Sequence, residues 1–349
     1  MNLLTPSQRD ALQVGVIGYG YWGPNLVRNF AEAVGSAVAC VADQSADRRD
    51  AVKRSHPLAT VYQSAGELIA DANVEAVAVA TPVSTHFAIA MEALRAGKHV
   101  LIEKPMTTTS EEALRLIEEA EKRHLVLMVD HTFVYTGAVR KIHQIITEGQ
   151  LGRIYYYDSV RVNLGLFQTD VSVLWDLAVH DLSIIDRVLQ HRPVAVAAHA
   201  VSHVSGYPAN VGYVTLYFPE NQIAHVHVNW LAPVKVRTTL IGGSDRMILY
   251  DDVEPSEKVK VYDKGAMPDA SERYKLLVKY RFGDMWAPQL DTSEALQYEI
   301  AHFVDCVRNG VQPITDGQAG MRVVKILEAA DRSINSGGRI LELEWPDRQ

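Results

Sequence analysis

A chain of 349 residues exceeds the roughly 250 to 300 that one hydrophobic core usually serves, so two domains are expected. Its 48% hydrophobic and 22% charged residues mark an ordinary globular protein, and a formal net charge of −8 excludes the broad positive field that non-specific nucleic-acid binding needs. Two distant cysteines, Cys40 and Cys306, exclude a disulfide framework, and the absence of a signal-like start or a run of ~20 apolar residues points to a soluble, cytoplasmic chain with no membrane contact.

The first third alternates β-branched runs with helical patterns: "QVGVIGYG", a helix from Pro24, "VACVAD", "VEAVAVA", "THFAIAMEALRAG", "HVLIEK", "SEEALRLIEEAEKR" and "LVLMVD". Such alternation predicts parallel βαβ units, four or five strands by about residue 130. Ser110 is the expected N-cap of "EEALRLIEEAEKR", and Gly97 the stop after "AMEALRA". From Ile154 the strands lengthen, become rich in Tyr, Val and Thr, and lie close together, which predicts an antiparallel meander interrupted by one helical segment, "VSVLWDLAVHDLSIIDRVLQ". Two helical stretches, "EALQYEIAHFVDCVRNG" and "GQAGMRVVKILEAADRSINSG", close the chain. The polar stretch from Asp252 to Pro288 reads as a hairpin and loop. The expected fold is α/β: an N-terminal Rossmann domain with a parallel sheet over residues 1–130, then residues 131–349 as an α/β domain for substrate binding and oligomerisation, with a large, mostly antiparallel open sheet. An open sheet bare on one face predicts a homo-oligomer, a homodimer or homotetramer.

The chemistry begins in "VGVIGYGYWGPNLVRNF". Gly18, Gly20 and Gly23 form a G-x-G-x-x-G between a strand and a helix, the context a dinucleotide loop requires. The first permits a tight turn, the second a close approach of pyrophosphate, and the third close packing of helix on strand. Asp43 ends the second strand, where an acid accepts hydrogen bonds from ribose hydroxyls; this favours NAD over NADP, while Arg48 and Arg49 are placed to meet a 2′-phosphate. Ligands of open α/β sheets bind beyond the carboxyl ends of strands, which puts Thr81, Pro82, Glu103, Lys104 and Pro105 on the functional edge, with His86 counted among the cofactor contacts. Lys104 reads either as a solvated turn residue or as a donor to a substrate oxygen. In "LWDLAVHDL", a helix would set Asp176 and His180 on one face, so that the carboxylate orients the imidazole or binds a substrate hydroxyl; a surface helix carrying charge is the alternative. An imidazole ordinarily titrates near ~6.5, close enough to neutrality to accept a proton. Paired histidines at His225 and His227, with His199 and His203 nearby, lack a carboxylate or thiolate set to complete a metal site, so no metal is expected.

Taken in order, the loop GYGYWG at 18–23, ATP at 80–82, EKP at 103–105 and D-x-x-x-H at Asp176 and His180 resemble the glucose-fructose oxidoreductase and inositol dehydrogenase family, Gfo/Idh/MocA, and the likeness runs to "PITDGQAGMRVVKILEAADRS". The resemblance implies a Rossmann domain followed by a predominantly antiparallel α/β domain, with Lys104, Asp176 and His180 as catalytic residues and Tyr21 and Trp22 passing beside the nicotinamide. "RVNLGLFQTDVSVLWDLAVHDLSI" and "YDDVEPSEKVKVYDKG" look nearest to 3-dehydrogenases of UDP-N-acetyl sugars, while Ala178 stands where many members carry glycine. The implied activity is NAD-dependent hydride transfer between nicotinamide and a secondary alcohol or ketone of a sugar or nucleotide sugar. Tyr135, Arg161 and Asn163 are the further candidates for substrate contact. The alternatives are an inositol or free-sugar dehydrogenase, a glycosidase that uses NAD transiently, and a non-catalytic dinucleotide-sensing regulator.

Overall fold

The computed structural model describes residues 11–165, 167–268 and 278–345. The chain divides into two compact units, one holding the residues up to Tyr135 together with Ser293–Lys325, the other Thr136–Thr292 and the chain from Ile326 onward. A single cut near residue 130 therefore leaves out one feature, the return of residues 293–325 to the first unit.

In the first unit, six parallel strands, β1 (Leu12–Ile17), β2 (Ser36–Ala42), β3 (Thr60–Tyr62), β4 (Ala76–Val79), β5 (His99–Glu103) and β6 (Leu127–Asp130), lie in the order β3-β2-β1-β4-β5-β6. This is the doubly wound order whose strand sequence reverses beside β1, where such folds bind dinucleotides. Both faces of the sheet are covered, so its central strands are apolar throughout: all four residues of β4 are buried. The connecting helices are α1 (Gly23–Glu32), α2 (Ala46–Ser55), α3 (Ala65–Ile69), α4 (Val83–Arg95) and α5 (Ser110–Arg123). Gly97 follows α4 with a φ of +79°, as the expected stop. The cap of α5 is Thr109 rather than Ser110: its hydroxyl accepts the Glu112 N–H at 3.2 Å, which draws Ser110 into the first turn. Helix α6 (Gly137–Thr147) opens the second unit, α7 (Val179–Val188) follows, and α8 (Ala295–Asn309) returns to the first. There α8 presents Leu296, Ile300, Phe303 and Val304 to a core that includes Phe30, Val134 and Tyr135. The last helix, α9 (Gly317–Asn335), begins in the first unit and ends in the second.

The second unit is built on a nine-stranded mixed sheet. Its strands are β7 (Ile154–Leu164), β8 (Ala195–Val201), β9 (Val211–Tyr217), β10 (Ile223–Asn229), β11 (Leu231–Gly243), β12 (Met247–Asp251) and β13 (Val259–Tyr262), with the short β16 (Met285–Trp286) and β17 (Leu341–Glu342) at the edges. Within the stretch expected to form a hairpin and loop, β14 (Gly265–Pro268) pairs antiparallel with β15 (Val278–Arg281), while residues 269–277 between them lie outside the described residues. Among the described residues of this unit only β7 and β10 pair in parallel. Period-two burial is clean in β9 and β10, where Val214, Leu216, Ala224, Val226 and Val228 point inward. The opposite face carries Tyr213, Ile223, His225 and His227, and the Tyr213 ring stacks on His227 with centroids 4.5 Å apart.

A buried ion pair pins α7 to this sheet: Arg161 Nε on β7 donates to Asp181 Oδ2 at 2.6 Å, with both side chains less than 5% exposed. Removing one partner would strand a charge in the core. Asp181→Ala is expected to cost about 3–5 kcal/mol in urea unfolding, and the paired apolar replacement Arg161→Met with Asp181→Leu far less.

Candidate active site

The glycine turn is shaped by contacts that leave no room for side chains. Gly18 has a φ of +96°, and a Cβ there would lie 2.5 Å from the Ala80 carbonyl oxygen; one on Gly23 would lie 2.1 Å from the Gly18 oxygen. Gly20 faces open space up to the Arg48 guanidinium at 3.5 Å. Trp22, the N-cap of α1, makes no side-chain capping bond, which leaves first-turn amides for an anion, and Pro24 in that turn forfeits nothing. This cradle fits the pyrophosphate of a dinucleotide.

Asp43 closes the other side. Its Oδ2 accepts the Tyr19 N–H at 2.7 Å and its Oδ1 the Ser45 N–H at 2.8 Å, so the carboxylate is clamped between the ends of β1 and β2 with lone pairs left for ribose hydroxyls. Arg48 stands 3.5 Å from Oδ2, while Arg49 is tied to the Asp43 and Gln44 carbonyls and is thereby withdrawn from a 2′-phosphate.

Beyond β4 and β5 lie the other two loops. Thr81 receives the Thr85 hydroxyl at 2.7 Å, and Pro82 caps α4. Glu103 Oε2 accepts the backbone N–H of Lys104, which is half-buried and joined to Pro105 by a cis peptide bond. His86, expected among the cofactor contacts, is 1% exposed, and its ring nitrogens meet the Thr81 and Pro105 carbonyls at 2.8 and 2.9 Å. It binds the two loops to each other from beneath rather than presenting itself to a ligand. Burial lowers its pKa, against the pull of those carbonyls.

Tyr135 is likewise corrected. The short 3₁₀ turn Thr132–Tyr135 folds it inward, where its hydroxyl lies 3.1 Å from Thr315 Oγ1 and its ring packs against His302. It is a core residue of the first unit. Tyr21, by contrast, is 89% exposed at the tip of the glycine turn.

In the second unit the segment holding Asp176 and His180 is not a plain α-helix. Leu174–Ala178 forms a π-helical turn that runs into α7 at Val179, so the two residues do not have the offset a regular helix would give them. Both remain half-buried, and Asp176 Oδ2 accepts the indole N–H of the buried Trp230 at 3.1 Å. Arg161, expected to touch substrate, is buried in its pair with Asp181, because inward positions of β7 face the helices. Asn163, two residues on, is half-buried near Gly165.

Sequence reasoning missed a buried cluster at the end of β6. Trp22 Nε1 donates to Asp130 Oδ2 at 2.6 Å, Thr132 Oγ1 donates to Oδ1 at 2.5 Å, and Glu299 of α8 is buried against the same carboxylate. Two signals pointed there: Asp130 ends a strand as Asp43 does, and Glu299 interrupts the apolar stripe of Leu296, Ile300, Phe303 and Val304.

The fold and cradle define a dinucleotide-dependent oxidoreductase, and two family models confirm it: "Oxidoreductase family, NAD-binding Rossmann fold" matches residues 12–131 and "GFO/IDH/MocA C-terminal domain" matches residues 139–248. The chain belongs to the Gfo/Idh/MocA family of NAD(P)-dependent oxidoreductases acting on CH–OH groups. It is 29% identical over 324 residues to UDP-N-acetylglucosamine 3-dehydrogenase of Acidithiobacillus ferrooxidans, covering 90% of this chain and 94% of that one. The solved structure of a UDP-N-acetylglucosamine 3-dehydrogenase from that organism superposes with a TM-score of 0.77 at 28% identity over 93% of this chain and 98% of that one. A scyllo-inositol 2-dehydrogenase (NADP(+)) of Bacillus subtilis is 26% identical over 347 residues, covering 93% of this chain and 94% of that one. At the level of fold, the WlbA dehydrogenase of Bordetella pertussis, solved with NADH and UDP-GlcNAcA, gives a TM-score of 0.80 at 19% identity over 95% of this chain and 98% of that one.

On the expectation that Asp43, at the end of the second strand, receives the ribose hydroxyls, Asp43→Ala is expected to weaken NADH binding about tenfold, ~1.4 kcal/mol, and to narrow the preference over NADPH, as read by calorimetric titration of both cofactors.

Proposed function

We propose that this protein oxidises, or in reverse forms, a secondary alcohol of a nucleotide sugar, with NAD as the hydride partner. The near-full-length match to a UDP-N-acetylglucosamine 3-dehydrogenase carries the reading. The bound nicotinamide supplies the acceptor for the carbon-bound hydrogen. Lys104, held at the end of β5 by the Glu103–Lys104–Pro105 turn, donates a hydrogen bond from Nζ to the alcohol oxygen and stabilises the negative charge that develops there. His180 accepts the hydroxyl proton at its imidazole. Asp176 holds a sugar hydroxyl or the imidazole, and the Trp230 indole fixes its carboxylate. Gly18, Gly20, Gly23, Asp43, Thr81 and Pro82 hold the cofactor, with Tyr21 and Trp22 at the rim of the same turn.

The same reading gives the protein a second copy of itself as partner. Tyr213, Ile223 and Met285 lie on the sheet face opposite the helices and are each at least 40% exposed, apolar surface that a second copy would cover. Light scattering at micromolar concentration is expected to return the mass of a dimer or tetramer; a monomer removes the assignment.

An inositol dehydrogenase is the second reading, supported by the Bacillus relative. A panel of UDP-sugars and polyols, followed by NADH absorbance, separates the two. With the preferred substrate, Lys104→Ala and His180→Ala are each expected to lower kcat by ~10² to 10⁴ while NADH affinity changes little.

A further inference from the structure

The carboxyl pair beneath the glycine turn has no part in the chemistry above. Asp130 is 1% exposed and Glu299 fully buried. One buried carboxylate with two short donors is well satisfied; a second carboxylate beside it is not, since two like charges in a dry site cannot both ionise. Neither Glu299 oxygen has a partner at ordinary hydrogen-bond geometry, and the Asp130 carboxylate beside it raises the cost of a charge there, against which only the Thr132 hydroxyl pulls. We propose that Asp130 and Glu299 share one proton and act as a positioning pair, which through the Trp22 indole sets how firmly the glycine turn holds the dinucleotide.

The chain of contacts is short. Trp22 is the N-cap of α1, and its carbonyl accepts the Asn25 N–H at 2.9 Å, so a displacement of its indole moves the first turn whose amides receive pyrophosphate. Asp130 holds that indole by one charge-assisted bond. Glu299 arrives from α8 and serves as the proton's second seat. Burial and the Asp130 charge hold the Glu299 carboxyl well above the usual carboxylate range, and burial also raises Asp130.

The other charged or titratable groups facing the pair are few. Glu103 at the end of β5 adds to the cost of ionising Glu299, while Lys104 next to it favours the Asp130 carboxylate. His131, the residue after β6, stays neutral, its pKa pushed down to about 3 by burial and by the Lys104 charge, so it does not titrate where the pair does. Tyr135, from the turn that follows, is raised well above its ordinary value and also stays neutral.

The pair then titrates as a unit in two steps. Between them one proton is shared, Asp130 accepts from Trp22, and dinucleotide binding is tightest. Above the second step Glu299 ionises, the like charges repel, and the tether loosens; proton linkage permits affinity to fall by up to about tenfold per pH unit there.

The inference rests on the dinucleotide role of the glycine turn and not on the choice of substrate. The test is NADH affinity, measured without substrate from mildly acidic to mildly alkaline buffer, for the wild-type chain, Glu299→Gln and Trp22→Phe, with circular dichroism confirming the fold of each. The amide of Glu299→Gln imitates the protonated acid and cannot ionise. The wild type is expected to lose affinity on the alkaline side and Glu299→Gln to keep it. Trp22→Phe, with no N–H to give, is expected to bind more weakly with the alkaline limb flattened. A wild type with no alkaline loss, a Glu299→Gln chain that retains the loss, or a Trp22→Phe chain with wild-type affinity and profile would each overturn the proposal. If Glu299→Gln does not fold, Trp22→Phe decides alone. A chain that shows the expected profile yet oxidises no sugar would sink the substrate reading and leave this pair in place.

Discussion

Contact without side chains is the constraint on which the first unit is built. Strand β1, the start of α1 and the end of β4 meet at Gly18, Gly23 and Ala80, at separations where a single Cβ would lie within 2.5 Å of a backbone oxygen. Because backbone approaches backbone so closely, the α1 amides come to the carboxyl edge of the sheet, and the helix dipole is aimed at whatever anion lies there. Every other feature of that edge is arranged around this turn. Asp43 clamps it through the Tyr19 amide, Trp22 anchors it to Asp130, and the Thr81 loop abuts it beyond Ala80.

The protein supports that edge mainly with buried polar groups. His86 ties the Thr81 and Pro105 carbonyls together, Thr315 joins the Tyr135 hydroxyl to the Val129 carbonyl, and Glu299 sits against Asp130. Such groups are costly unless satisfied, and satisfied they permit one arrangement of the loops rather than several. Two of these supports, Thr315 and Glu299, come from the segment that returns to the first unit after all the strands of the large sheet but the edge strand β17. The second unit uses the same device: the Arg161–Asp181 pair registers α7 on β7, and Trp230 fixes Asp176 within the π turn.

How far the sequence could be read differs from place to place. Strand-helix alternation made the parallel sheet legible, because a strand buried on both faces must be apolar along its length, as β4 is. Gly18, Gly23 and Asp43 were legible because a turn between strand and helix admits few residues. Tyr135 and Arg161 were misassigned because a polar atom on a large side chain does not show which way the chain will turn it: one folded into the core through a 3₁₀ turn, the other faced α7. His86 was drawn to the right region but not to the right task.

Residue order by itself determined the class of fold, the place of the dinucleotide turn and the family, since these depend on local spacing and on patterns of burial that repeat along the chain. Tertiary structure alone decided the rest. A π turn at Leu174–Ala178 differs from an α turn only in which backbone groups pair, and no residue type there announces it. The meeting of Asp130 with Glu299 joins positions 169 residues apart (299 minus 130), and the cost of burying two acids together is a property of the assembled core, not of either segment.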